Sequence, residues 1–323
     1  MNLTEEQLDL YREALFPYAH GATLRAQRIG GRFVYYTTAS TAMLALRSRK
    51  LWMRNTQVMN DFTEVEHGMH CIREAFKSSA GASFDEAVNS YFPGLAQEIR
   101  DGFFAWSPGI LRDTYVTCIS EHSRDEDEHG RLSMWRAYGG DAGVALVIKG
   151  DVLFRPSDAL AAYSSPVAYL DGRGIREQLE QVAGNIKTNV ALMSQFDREG
   201  MKGAMFHMLR FAAVCTKHPA FLEEREWRII SSPTFGTSEH LESEFVSIGG
   251  IPQKVLKIPL EDFPEQGLYG LSPDQLIERV LIGPMEHSGV VIPALLDAMK
   301  SAGISDPVSK IFDTGIPLRP NQR

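Results

Sequence analysis

Residues 223–230 read EEREWRII, a run that opens on charge and closes on an aromatic and two β-branched residues. This composition predicts a strand, in which successive side chains point to opposite faces. Leu222, Glu224, Glu226 and Arg228 then share one face, and Glu223, Arg225, Trp227 and Ile229 share the other. Trp227 and Ile229 are expected to face the core. Two carboxylates and a guanidinium are left on a single face. Like charges at that spacing raise each other's pKa unless a cation compensates. Arg228 is one candidate cation and Lys217, just upstream, is another. The competing reading is the solvated outer face of an edge strand.

Working outward, residues 33–38 (FVYYTT) follow Gly-Gly and form a β-rich run, with Tyr36 and Thr38 on one face and Tyr35 and Thr37 on the other. A helix capped by Ser40 comes next, with Leu44 on its inner side. Residues 113–121 (DTYVTCISE) predict a strand. SRDEDEHGR after it reads as a charged, solvated turn. In MWRAYGGDAG, Trp135 and Tyr138 can stack on a planar ring, while Gly139, Gly140 and Gly143 let the backbone approach something closely. Strands are expected at 144–148, in PVAYL, in VLKIPL and in IERVLIGP, and a helix at 289–302. An N-terminal helix at 2–18 is capped by Thr4. Residues 62–106 are mostly helical, with breaks at Gly81 and at Pro93-Gly94, and 173–215 are helical. The expected architecture is one α+β domain over 1–323, with a mixed or antiparallel sheet core and helical insertions near 62–106 and 173–215.

Asn60-Asp61-x-x-Glu64 has two readings. Asn60 or Asp61 is a good N-cap, and Glu64 can close a capping box. Alternatively, Asn60 and Asp61 fix a loop and Glu64 bonds a partner such as Arg136 or Arg228, so that all three line a site. His67 and His70, at i and i+3, are a weak metal pair, and no metal is expected.

The whole-chain totals exclude several classes. With 33 Lys plus Arg against 41 Asp plus Glu, the net charge is −8, which argues against generic nucleic-acid binding. Cys71, Cys118 and Cys215 are widely spaced, which argues against a disulfide framework or structural zinc. The start MNLTEEQLDLYREAL lacks a basic lead and an apolar core, and no run approaches the roughly 20 apolar residues that span a bilayer. A cytoplasmic protein with no membrane partner is expected.

Taken in order, YYT, LWMRN, MNDFTE, CISE, SMWRAYG with AGVAL, EEREWR, RVLIGP and TGIPLR resemble the bacterial family called domain of unknown function 2971. The resemblance spans roughly 33–319. That family is similar in layout to the ADP-ribosyltransferase superfamily, in which a first strand, an aromatic or Ser motif and a late Glu strand surround the nicotinamide end of NAD. The resemblance therefore implies that fold and NAD as substrate. Tyr36 and Thr37 fall in the first strand, Trp135 and Tyr138 in the second motif, and Glu226 or Glu224 in the third. This chain departs from the pattern at the first strand. The His or Arg many such enzymes carry there is replaced by Tyr35 or Tyr36.

The chemistry implied is cleavage of the bond to nicotinamide, with ADP-ribose passed to a macromolecule (RNA, DNA or protein) or to water. Glu226 would accept a hydrogen bond from a ribose hydroxyl and favour oxocarbenium character, with Glu224 acting on the acceptor. Asn60, Asp61, Glu64, Tyr36, Thr37, Trp135, Tyr138 and Arg228 would hold the nucleotide. A toxin or anti-phage effector with an antitoxin partner is the biological expectation. Two alternatives stand beside it. One is a sensor that binds a nucleotide or nucleic acid without turnover, favoured by the missing first-strand His or Arg. The other is a metal-dependent nuclease or hydrolase built on Asp61, Glu64, Glu224 and Glu226.

Overall fold

The computed structural model describes residues 4–58, 64–155 and 157–317. In chain order the described strands are β1 (Arg32–Thr38), β2 (Lys50–Asn55), β3 (Tyr115–Glu121), β4 (Gly143–Lys149), β5 (Ala162–Pro166), β6 (Ala168–Tyr169), β7 (Thr216–Lys217), β8 (Glu226–Ser231), β9 (Glu242–Ile248), β10 (Ile251–Pro259), β11 (Ile277–Ile282) and β12 (Ile311–Asp313). The fold is α+β, with one large open sheet and many helices.

Contacts gather the chain into two compact units. One comprises residues 1–25, 56–114 and 165–225, and the other residues 26–55, 115–164 and 226–323. The first is helical. It contains Glu5–Leu15, Glu64–Phe76, Ser79–Asn89, Leu95–Arg112, Gly172–Thr188 and Arg198–Val214, and so takes in both segments expected as insertions. Thr4 caps its first helix in a capping box with Gln7, which satisfies two otherwise orphaned main-chain N–H groups. That helix stops at Leu15, and a second begins at Pro17, where proline's fixed φ suits a first helical turn. Gly81 does not break its helix, contrary to the sequence expectation. A Cβ there would lie 2.3 Å from the Phe76 carbonyl oxygen, so the glycine lets Ser79–Asn89 start close against the end of Glu64–Phe76.

The second unit carries the sheet, ordered β12-β11-β4-β1-β3-β2-β10-β9, with β8 on β3 and β5 on β8. It is mixed. β11 and β12 run parallel, while β1, β2, β4, β8, β9 and β10 pair antiparallel. β3 is the hub. β8 pairs along it from Tyr115↔Ser231 to Ser120↔Glu226. The opposite edge is shared: β1 takes Ser120 and Glu121 through Val34 and Phe33, and β2 takes Val116 and Tyr115 through Arg54 and Asn55. From Tyr35 onward β1 leaves β3 and stays paired with β4, down to Thr38↔Gly143. The sheet therefore forks beside residues 117–119, and the helix Ala39–Ser48 links the two arms.

The two sheet faces bury different sets. Phe33, Ile119 and Trp227 belong to the larger cluster, with Tyr35 and Ile229 packed on it. Val34, Tyr36, Trp135, Ala145 and Leu281 form the smaller cluster on the other face. The alternation read from FVYYTT and from EWRII is thus observed. Two details of the helix after β1 differ from expectation. Thr38, not Ser40, accepts the capping bond, from Thr41 N–H, because the helix begins at Ala39, two residues earlier than a Ser40 cap implies. Leu44 is 44% exposed, and the buried stripe is Ala39, Ala42, Ala45 and Leu46.

Candidate functional site

The strand predicted from EEREWRII begins at Glu226. Pro219–Glu224 is instead a 3-10 turn, ended by Arg225 in the left-handed region with φ 44°. That turn interrupts the two-residue alternation, so the expectation that Glu224 and Leu222 extend the Glu226 face is corrected. Of the two candidate cations, Lys217 pairs with Glu224: its Nζ donates to Oε2 at 2.6 Å, within the helical unit. The Lys217 ammonium also lies 4.7 Å from the Phe221 ring centroid.

Glu226 and Arg228 are both buried, at 6% and 0% exposure. Arg228 Nε donates to Glu226 Oε1 at 2.7 Å, and a longer bond of 3.4 Å runs from Nη2 to Oε2. Two positions apart on one strand, they point to the same face, and the guanidinium fixes the carboxylate's orientation. On the opposite face Trp227 is locked. Its indole N–H donates to Glu121 Oε1 at 2.9 Å, and its ring meets Phe33 and Phe154 edge-on, at 5.0 Å and 5.7 Å. Glu121 was not singled out in the sequence. Its only signal there is being the last, acidic residue of CISE.

The register places Val34, Ser120 and Glu226 side by side across three strands, so about 10 Å separates the outer two backbones. Tyr36 follows two residues along β1 on that same face. Its hydroxyl accepts from Arg131 N–H at 2.9 Å, and burial raises its pKa against the opposing pull of Arg131. Its ring stands edge-on to Trp135, centroids 4.8 Å apart. Tyr138 packs against the same cluster. Thr37, by contrast, turns to the other face with Tyr35. Burial raises the Tyr35 pKa above its ordinary value, with the Cys118 thiol adding to that and Arg54 opposing it.

Trp135 is enclosed rather than open for stacking. Its N–H donates to the His129 carbonyl at 2.8 Å. Glycines close on it from two sides: a Cβ at Gly143, in the following turn, would lie 3.1 Å from the ring, and one at Gly283, just after β11, only 2.6 Å. What the glycine-rich backbone approaches closely is this chain's own tryptophan. The SRDEDEHGR loop is solvated at Arg124, Asp125, Glu128 and His129, as expected, but it is also tied down by ion pairs. Arg32 reaches Asp127 at 2.8 Å and Glu278 at 2.9 Å, and His122 Nε2 lies 2.9 Å from Asp127. Burial works against the Arg32 charge, but Asp127 and Glu278 outweigh it and its pKa rises. Burial lowers the His122 pKa, partly opposed by Asp127. This loop carries Arg131, and hence the main-chain donor for Tyr36.

Asn60 and Asp61 lie outside the described residues, and of Glu64 only its place as first residue of Glu64–Phe76 is described. The structure therefore brings Tyr36, Trp135, Tyr138, Glu226 and Arg228 to one face of one unit, and places Glu224 in the other unit. Among the described residues no group of three or more His, Cys, Asp or Glu is arranged to hold a metal ion. His67 bonds the Leu170 carbonyl at 3.0 Å, and His70 is exposed. Among the described residues no helix is long and apolar enough to cross a membrane.

No curated protein and no solved structure matches this chain. Residues 134–229, from the Trp135 turn through the Glu226–Arg228 pair, match the model of a family described as protein of unknown function, DUF2971.

Proposed function

We propose that the Glu226 face handles a nucleotide, and that the protein consumes NAD by cleaving its bond to nicotinamide, on a sheet of ADP-ribosyltransferase type. The observation that carries this reading is the Glu226–Arg228 pair. A buried carboxylate held by a 2.7 Å bond to a guanidinium stays oriented and supplies fixed negative charge in a dry environment. Such a group stabilises a sugar as it gains oxocarbenium character, and a hydrogen bond from a ribose hydroxyl strengthens as that charge develops. Nicotinamide departs as a neutral base, so no general acid is needed. Tyr36 and Tyr138 bound the same face, and the fork beside residues 117–119 opens next to it. The acceptor is a macromolecule or water.

A second reading, a nucleotide sensor without turnover, is favoured by one specific observation. The Tyr36 hydroxyl and the Trp135 N–H are already engaged by the Arg131 N–H and the His129 carbonyl, in a first strand that carries Tyr35 and Tyr36 where a His or Arg would hold the ligand.

Incubating the full chain with NAD and cell extract, and quantifying nicotinamide by mass spectrometry, separates the two. Turnover that falls at least 100-fold in a folded Glu226→Gln variant supports NAD consumption. An unchanged nucleotide that co-purifies, with no nicotinamide released, supports the sensor.

A further inference from the structure

The helical unit carries an apolar pocket of about 110 Å³, partly open to solvent, that none of the chemistry above uses. Its wall is built by the apolar stripes of three helices. Ile72 and Phe76 come from Glu64–Phe76, Leu179 from Gly172–Thr188, and Met208 and Phe211 from Arg198–Val214, with Phe16 closing it from the break between the first two helices. The space persists because alanines stand where larger residues would fill it: Ala19, Ala75, Ala168 and Ala212. Protein interiors rarely leave voids much larger than a water molecule. An enclosed apolar cavity of roughly 150 Å³ stays dry and takes up benzene; this pocket offers a volume of that order but is partly open to solvent.

The wall also restricts the ligand's charge. No Lys, Arg, His, Asp or Glu occurs among its described residues. Its hydroxyls are already engaged with main-chain carbonyls: Thr216 Oγ1 donates to Ala212 O at 2.7 Å, Ser165 Oγ to Pro166 O at 3.3 Å and Tyr18 Oη to Val167 O at 3.4 Å. A carboxylate or ammonium would lose its hydration with no countercharge. Gln178 stays on the wall as a neutral amide able to meet a hydroxyl. We infer that this cavity is a binding site for a small uncharged apolar molecule, a single ring or a short alkyl chain, independent of the Glu226 face.

The test is thermal unfolding of the full chain at pH 8 with benzene, 1-hexanol or hexanoate over a concentration series. A ligand that binds only the folded state raises Tm in proportion to the logarithm of its excess over Kd. Benzene or 1-hexanol is expected to raise Tm by several degrees with a dose dependence that fits one site, and hexanoate to leave it unchanged. Ala212→Phe and, from a different wall, Ala75→Leu fill the space and are expected to abolish the shift. If one variant does not fold, the other decides; if neither folds, the contrast between 1-hexanol and hexanoate decides. The inference is overturned if neither neutral probe raises Tm, if hexanoate equals 1-hexanol, or if a folded, filled variant keeps the wild-type shift.

Discussion

Arg228 holds Glu226 across two positions of β8, Nε to Oε1 at 2.7 Å, with both side chains buried. Removing one partner from such a pair takes a close countercharge from a group in a place water does not reach. Arg228→Met is therefore expected to cost about 3–5 kcal/mol in chemical denaturation. Glu226→Gln keeps an oxygen acceptor and is expected to cost less, about 1–3 kcal/mol. The two changes should be strongly non-additive in a double-mutant cycle. Additivity would mean that the pair is not coupled.

Tyr36→Phe removes the acceptor for the Arg131 main-chain N–H and leaves the ring's contact with Trp135 intact. The expected loss is about 1–2 kcal/mol. Amide hydrogen exchange offers a sharper reading, because faster exchange should be confined to the segment around Arg131. Unchanged protection there would show that the hydroxyl does not hold this loop.

Gly283→Ala places a methyl group 2.6 Å from the Trp135 ring. The ring cannot easily retreat, since its N–H is tied to the His129 carbonyl and its edge to Tyr36. Overpacking of this kind costs about 1–3 kcal/mol. Trp fluorescence should shift with it as Trp135 is displaced. A variant as stable as the parent would mean that the turn is looser than its geometry indicates.

Burial, and after it Arg210, lowers the pKa of His207 to about 4. Its ring sits 4.6 Å from Phe211 and accepts from Arg210 at 3.2 Å. The unfolded chain takes up this proton near pH 6.5, whereas the folded chain does so only near pH 4. Stability is thus fully present above pH 6.5 and falls as pH drops towards 4, by roughly 3 kcal/mol in all. His122 acts in the same direction, since its pKa is also lowered by burial. The His207 share is the difference between wild type and His207→Gln, whose denaturation midpoint should change less over this window. Parallel pH profiles would refute the assignment.

How much was legible in the sequence differs from element to element. The two-residue alternation in FVYYTT and EWRII put Tyr36 opposite Tyr35, and Trp227 opposite Glu226 and Arg228, as observed. The cap at Thr4 and the helices of 173–215 were equally readable. These features depend on neighbours within a few residues, which local pattern records. Glu224 was misplaced because the pattern cannot show that Arg225 adopts a left-handed conformation and ends a turn there. Of the two candidate cations, Lys217 went to Glu224 and Arg228 to Glu226, a division the shared-face reading left open.

By itself, then, the sequence determined the face each side chain takes within its own strand and the α+β character of the chain, because hydrophobic periodicity and turn chemistry act over short range. The tertiary structure alone decided the rest. It gave one edge of β3 to both β1 and β2 and so forked the sheet. It anchored the acidic loop by bringing Arg32 and Glu278 to Asp127, positions 95 and 151 residues away from it along the chain. It turned Trp135 from a stacking surface into a packed anchor by closing Gly283 over it. Each of these rests on groups far apart in sequence, whose meeting is set by long-range strand pairing and close packing rather than by any local preference.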